Sequence, residues 1–222
     1  MNQLGLPISL NVQMSLENFV ANAQIQKAVS QLFSADTASE IYVYGGPGSG
    51  KTHLLQAVIF YAMEQNQAAV FIDCKEEIPD YLVEVVADLD WLSVDNIGSV
   101  DVAQQHILFD LYNRARQSNV NIVVSGPSLP SELDLMKDLK TRLNLATVFP
   151  LEALNDEQTK EALNNQMSER NMSIDEKVYS YLFKHYSRDI SQLLEATDRL
   201  DEVSMQAKQS ISIPLAKKVL GI

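Results

Sequence analysis

The chain has 222 residues, which suits one compact α/β domain followed by a small second domain. Its 29 Asp and Glu against 17 Lys and Arg give a net charge of −12, so the chain is poorly suited to grip a DNA backbone, and proteins are the expected direct partners. The single cysteine excludes an internal disulfide, and the absence of a long apolar run or a signal peptide predicts a cytoplasmic protein with no membrane contact.

Five apolar runs of strand length alternate with longer segments of helical periodicity. The runs are EIYVYG at 40–45, AAVFID at 68–73, LDWLSV at 89–94, VNIVVSG at 120–126 and ATVFPL at 146–151. The helical segments THLLQAVIFYAMEQN and VAQQHILFDLYNRARQS lie between them. This alternation predicts a five-stranded parallel sheet with helices on both faces.

The first predicted strand runs into GGPGSGKTH, which satisfies the phosphate-binding pattern G-x-x-x-x-G-K-[ST]. Glycines let backbone N–H groups curl around a phosphate, Lys51 would reach the β and γ oxygens, and Thr52 would help to hold Mg²⁺. A chance glycine turn is the alternative, but a strand before the loop and a helix after it favour the functional interpretation. The predicted nucleotide-binding residues here are Gly45, Gly46, Pro47, Gly48, Ser49, Gly50, Lys51, Thr52 and His53.

The third predicted strand ends in Asp95, where a phosphate-loop protein places the carboxylate that steadies Mg²⁺ through its water shell. We therefore predict Thr52 and Asp95 as the metal residues. The next residue, Asn96, occupies the place where ATPases of the AAA+ class usually have an acid that polarises the attacking water. An amide can orient water but cannot accept its proton, so we expect weak intrinsic ATP hydrolysis.

After residue 150 the pattern changes to successive helices without strands, which predicts a small all-helical lid over 151–222. Two helix starts have the spacing of a capping box, Asn155 with Gln158 and Ser173 with Glu176. A last short helix is predicted to begin near Pro214, because proline is tolerated in a first helical turn.

Together these segments resemble the DnaA/Hda branch of AAA+ proteins, and within it the Hda-type, DnaA-related regulators of replication initiation. The resemblance covers nearly the whole chain through QLGLP, GGPGSGKTHLLQA, LSVDNI, FDLYNRA, LKTRL, PLEALNDE, SRDISQLLEATDRLD and IPLAKKVL. It implies a bound ADP or ATP with Mg²⁺ in a crevice between core and lid, and leaves other nucleoside diphosphates open.

Three single residues take roles from this resemblance. Arg142 matches an arginine at a subunit boundary that enters a neighbour's nucleotide site as a finger; the alternative is a solvated surface arginine. Arg188 matches the lid arginine that reaches the bound phosphates. The polar sensor at the end of the fourth strand falls near Ser125, where the family often has an acid close by.

The opening QLGLP resembles the short peptides that hook onto the bacterial sliding clamp. Gln3 would fix one end, and Leu4, Leu6 and Pro7 would form an extended apolar plug for a groove. A packing arm on the core is the alternative. The resemblance therefore divides the chain into a clamp-binding tail at 1–10, a nucleotide-binding core at 11–150 and the lid at 151–222.

The function implied is an adaptor that binds the clamp and stimulates hydrolysis of ATP held by the initiator DnaA, with DNA contacted only indirectly. Association with further copies of the chain stays open. A second hypothesis is an autonomous AAA+ ATPase that loads or remodels a replication partner, and a third is an interaction module whose loop is a relic.

Other reactive residues predict no separate site. His53, His106 and His185 are scattered, with no ligand spacing among them or with Cys74, so we expect no zinc. Cys74 follows the second predicted strand without a histidine nearby, which favours a packing role.

Overall fold

The computed structural model describes residues 14–16, 19, 25, 29, 32–33, 38–169, 172, 174–187 and 190–222. The predicted clamp-binding residues Gln3, Leu4, Leu6 and Pro7, and the predicted lid residue Arg188, lie outside the described residues. The chain forms two compact units; the first ends at Glu152 and the second begins at Ala153.

Within the described part of the first unit, five strands form one sheet in the order β2-β3-β4-β1-β5, and every pair is parallel. This confirms the predicted sheet. Its strands are β1 Glu40–Tyr44, β2 Ala69–Asp73, β3 Trp91–Asp95, β4 Asn121–Gly126 and β5 Thr147–Pro150.

Both faces of the sheet are covered by helices, because alternate strand residues are apolar on each side. On β1, Ile41 and Val43 pack with the first helix, whereas Tyr42 packs on the opposite face. The helices that the structure describes from end to end in this unit are α1 Lys51–Glu64, α2 Leu82–Val85, α3 Val102–Gln117 and α4 Lys137–Leu143, with 3₁₀ turns at Val86–Asp88, Ile97–Ser99 and Pro130–Glu132.

Parallel pairing brings the carboxyl ends of the strands to one edge of the sheet. Asp73 at the end of β2 is in register with Asp95 at the end of β3. Tyr44, which leads into the glycine-rich loop, is in register with Gly126 at the end of β4. This edge therefore gathers the polar residues that the sequence analysis singled out, as expected for a ligand site in an open α/β sheet.

The second unit contains α5 Asp156–Glu169, α6 Glu176–His185, α7 Ile190–Ala207 and α8 Ile213–Leu220. These helices enclose an apolar core of their own, which includes Leu163, Leu182, Leu193 and Leu200, each fully buried. The predicted all-helical lid is confirmed. Among the described helices, none is long and apolar enough to cross a membrane.

One predicted capping box is formed, whereas Ser173 of the other lies outside the described residues. Gln158 N–H donates to Asn155 Oδ1 at 2.9 Å, and Asn155 N–H donates back to Gln158 Oε1 at 3.1 Å. At α6 the cap is Asp175, whose carboxylate accepts from Lys177 N–H at 2.8 Å. An aspartate caps a helix as well as a serine does, and its charge also favours the positive end of the helix dipole.

Candidate nucleotide-binding site

The loop between β1 and α1 has the backbone conformation that a phosphate cradle requires. Gly48 and Gly50 have φ values of 70° and 87°, in the left-handed region that glycine enters without a Cβ penalty. Gly50 directly precedes α1, so the first N–H groups of that helix face the loop. Both features make the loop suited to bind an anion.

Lys51 lies along this loop. Its ammonium donates to the carbonyls of Gly45 and Gly46, at 2.7 Å each, and to Ser49 Oγ at 3.3 Å. Burial lowers the pKa of Lys51, the nearby Asp95 opposes that shift, and Lys75 adds to it. The ammonium is thus held by groups of the loop itself, with the buried Asp95 carboxylate nearby.

Asp95 is fully buried at the end of β3 and serves as an acceptor for three side chains. Thr52 donates to its Oδ2 at 2.6 Å, Ser125 donates to its Oδ1, and the Asn96 amide donates to Oδ2 at 3.1 Å. The predicted metal pair, Thr52 and Asp95, is therefore in direct contact. A carboxylate and a hydroxyl at the start of a helix are donors that suit Mg²⁺.

Asn96 has a left-handed backbone, with φ 55° and ψ 38°. Its backbone N–H donates to Ser125 Oγ at 3.2 Å, which ties the end of β3 to the predicted sensor on β4. Its side-chain amide donates to Asp73 Oδ1 at 2.9 Å as well as to Asp95. The sequence analysis missed Asp73, although a polar residue closing the neighbouring strand AAVFID was a usable signal.

His53 contacts the segment before the sheet. Its Nε2 donates to the Ser15 carbonyl at 2.9 Å, and its ring lies 5.1 Å from the ring of Phe19, centroid to centroid. Burial lowers the pKa of the imidazole, and the Ser15 carbonyl acts in the opposite direction. The imidazole is therefore engaged by this segment.

Comparison with known proteins identifies the family behind this geometry. Residues 10–149, which include the loop, Asp95 and Arg142, match the family model of the bacterial DnaA ATPase domain. The chain belongs to that family. Residues 156–220 match the model of the Hda lid domain, so the two matches together describe a DnaA-related AAA+ replication regulator.

Individual relatives extend over nearly the whole chain. An uncharacterized protein of Haemophilus influenzae is 28% identical over 228 residues, covering 99% of each chain. The crystal structure of domain III of DnaA from Thermotoga maritima has a TM-score of 0.81 at 19% identity, covering 96% of this chain and 98% of that one. The AMPPCP-bound DnaA of Aquifex aeolicus has a TM-score of 0.67 at 20% identity, covering 90% of this chain and 70% of that one.

Arg142 lies in the last turn of α4, a helix of this DnaA-family chain that packs on the face of the sheet opposite α1. Its side chain is half-buried, and its guanidinium forms no hydrogen bond or ion pair with any described residue. Burial and then Glu40 raise the pKa of Tyr112, whereas Arg116 and Arg142 oppose that rise, which places the Arg142 charge near the Tyr112 hydroxyl. The guanidinium can therefore bind a group that does not belong to the described residues.

Cys74 provides a prediction about reactivity. The thiol is buried, and burial, followed by Asp73 and Asp95, raises its pKa to about 12. A raised pKa favours the neutral thiol, so the native protein should not react with an aromatic disulfide reagent at pH 8. Above the ordinary thiol pKa of 9.0 the unfolded chain loses this proton before the folded protein does, so the free energy of unfolding should fall as the pH rises. Thiol titration before and after adding denaturant checks this; rapid native labelling would contradict it.

Proposed function

We propose that this DnaA-related protein is a nucleotide-bound adaptor that turns off replication initiation. It would dock on the sliding clamp through Gln3 to Pro7, hold ADP or ATP at the loop between Gly45 and Thr52, and offer Arg142 to the ATP bound by DnaA. Hydrolysis of that ATP would leave the initiator inactive. Contact with DNA would be indirect, through the clamp and the initiator.

Nucleotide binding is supported by the fit between the loop and a phosphate chain. Left-handed Gly48 and Gly50 and the start of α1 present backbone donors, and Lys51 adds a cation. Thr52 and Asp95 would hold Mg²⁺, which when bound neutralises charge on the phosphate oxygens. AMPPCP, the ligand of the Aquifex aeolicus DnaA structure, is an ATP analogue, which agrees with an adenine nucleotide here.

The observation that carries the regulatory proposal is the amide at position 96 beside a complete phosphate loop. Both N–H groups of Asn96 are used on carboxylates, and an amide oxygen does not take a proton from water. The nucleotide would therefore be kept mainly intact. Its role in the adaptor would be conformational, with no turnover of its own required.

Arg142 supplies the part of the proposal that acts on a partner. A guanidinium without a partner among the described residues can stabilise the charge that develops on a transferred phosphoryl group. Its position on α4, which packs on the face of the sheet opposite α1, suits action on a neighbouring subunit. The match of residues 156–220 to the Hda lid model supports DnaA as that neighbour.

The test is hydrolysis of ATP pre-bound to DnaA in the presence of clamp-loaded DNA. We expect this protein to accelerate hydrolysis, and a variant with Gln3→Ala and Leu4→Ala to lose the acceleration because it no longer binds the clamp. A variant that loses clamp binding but keeps full stimulation would remove the clamp from the proposal.

The same preparations distinguish the adaptor from an autonomous ATPase. We expect the isolated protein to show little turnover, with or without the clamp. A clear rate that Lys51→Ala abolishes, together with no effect on DnaA-bound ATP, would instead establish an independent ATPase.

A further inference from the structure

Asp73 and Asn96 form an acid–amide pair at the metal end of the candidate nucleotide site. Strand register places Asp73 beside Asp95, so two carboxylates close neighbouring strands at the same level. Like charges in such positions repel each other. The Asn96 amide lies between them and donates to Asp73 Oδ1 at 2.9 Å and to Asp95 Oδ2 at 3.1 Å. Each of its two N–H groups therefore bonds to one carboxylate.

The backbone fixes both members of this pair. Asn96 has a left-handed backbone, and its N–H donates to Ser125 Oγ at 3.2 Å. Asp73 Oδ1 also accepts from Lys75 N–H at 3.0 Å, which orients the carboxylate at the start of the following turn. With both N–H groups used, the Asn96 side chain has only its Oδ1 left for a water, since this oxygen accepts from no described residue.

We propose that Asp73 is a positioning residue of the nucleotide site. It holds the Asn96 amide against Asp95, and its negative charge would disfavour a carboxylate at position 96. The inference rests on the nucleotide site of the proposed function. On this proposal, the weak hydrolysis expected of this chain results from two residues together: the acid is on β2, at Asp73, and the amide follows β3, at Asn96. Exchanging the two residues should then reverse that property.

The exchange is sterically mild. Asp and Asn have nearly the same volume, and both are among the residues most often found with a left-handed backbone. Asn96→Asp alone removes both donors and adds a third negative charge beside Asp73 and Asp95. Adding Asp73→Asn provides an amide donor for the new carboxylate at position 96 and restores the net charge of −12. The double exchange therefore keeps composition, net charge and an amide–carboxylate bond between positions 73 and 96, and gives up only the bond from position 96 to Asp95.

A first experiment needs no nucleotide. Trp91, the only tryptophan, is buried at the start of β3, the strand that ends in Asp95, so its fluorescence follows urea unfolding of the core. We expect Asn96→Asp to lower the urea midpoint by about 0.5 M. Added to that variant, Asp73→Asn should recover most of the loss, whereas in the wild type Asp73→Asn alone should change the midpoint by about 0.2 M or less. Additive effects of the two substitutions would overturn the proposal.

A second experiment measures hydrolysis with ATP and Mg²⁺. In this step a water oxygen bonds to the γ-phosphorus, the bond to the β,γ-bridging oxygen breaks, ADP leaves, and the carboxylate introduced at position 96 takes the proton. We expect the double exchange to exceed wild type by at least about 10²-fold and to exceed Asn96→Asp, with the gain lost on adding Lys51→Ala. Binding of ATP without a gain over Asn96→Asp would overturn the proposal.

The two experiments separate this inference from the proposed function. Binding of a fluorescent ADP analogue to the wild type reports the nucleotide site directly. If no analogue binds while Asp73→Asn still rescues the stability of Asn96→Asp, the nucleotide function fails and the pair stands. If the analogue binds and the rescue is absent, the pair fails and the nucleotide function stands.

Discussion

Arg142→Ala is expected to reduce the stimulated hydrolysis of DnaA-bound ATP to the unstimulated rate, a loss of about 10³-fold or more. The guanidinium is half-buried on α4, forms no hydrogen bond or ion pair with any described residue, and would meet the phosphoryl group of the partner. An alanine provides no charge at that point. Clamp binding should be unchanged, because Arg142 is not among the predicted clamp residues Gln3 to Pro7. The measurement is single-turnover hydrolysis with the clamp-bound variant.

Two matched variants separate a finger from general electrostatics. Lys140→Ala removes the same charge from the same helix, at a residue that is half-buried as Arg142 is, and should leave stimulation within a factor of about two, because only Arg142 would meet the phosphoryl group. Arg142→Lys keeps the charge but loses the planar fork, so we expect an intermediate rate. Equal losses in Arg142→Ala and Lys140→Ala would show that α4 contributes only net charge, and the finger assignment would be wrong.

The fold could be predicted from the sequence because its elements follow from local patterns. Five apolar runs alternate with helical segments that are long enough to cross from one strand to the next. This pattern favours a parallel sheet with helices on both faces. Boundaries agree with the structure to within about two residues, the precision expected of helix and strand ends. The cap of α6, Asp175, was not predicted, because a single aspartate caps a helix without the spacing of a capping box.

The candidate site was predictable only where it is continuous in sequence. The loop from Gly45 to Thr52 is a single segment, so its sequence pattern alone is enough to predict its backbone geometry. The contact between Asp73 and Asn96 depends on the register of β2 with β3, and the contact between His53 and Ser15 joins residues 38 positions apart. No periodicity specifies such pairs. Asn96 was recognised as a departure from an acid, but its partner was visible only in the folded sheet.

Gly45→Ala is expected to be far more destabilising than Gly46→Ala, although the two glycines are adjacent in one motif. A Cβ at Gly45 would lie 2.1 Å from the Leu151 carbonyl oxygen, which belongs to the backbone and cannot rotate away. A Cβ at Gly46 would meet no atom within 4 Å. We therefore expect a loss of about 3 kcal/mol or more in the free energy of unfolding for the first, and a change within about 0.5 kcal/mol for the second.

The cause of that difference lies in how the loop leaves the sheet. Leu151 N–H donates to the Tyr44 carbonyl at 2.6 Å, and Gly45 N–H donates to the Gly126 carbonyl at 3.4 Å, so the first loop residue is held between the ends of β4 and β5. Relieving the clash would separate β5 from β1 and move the carbonyl that accepts from Lys51. Urea unfolding followed by Trp91 fluorescence measures both variants; equal midpoints would mean that the chain beyond β5 yields freely, and that the start of the phosphate loop is not fixed by its contact with Leu151.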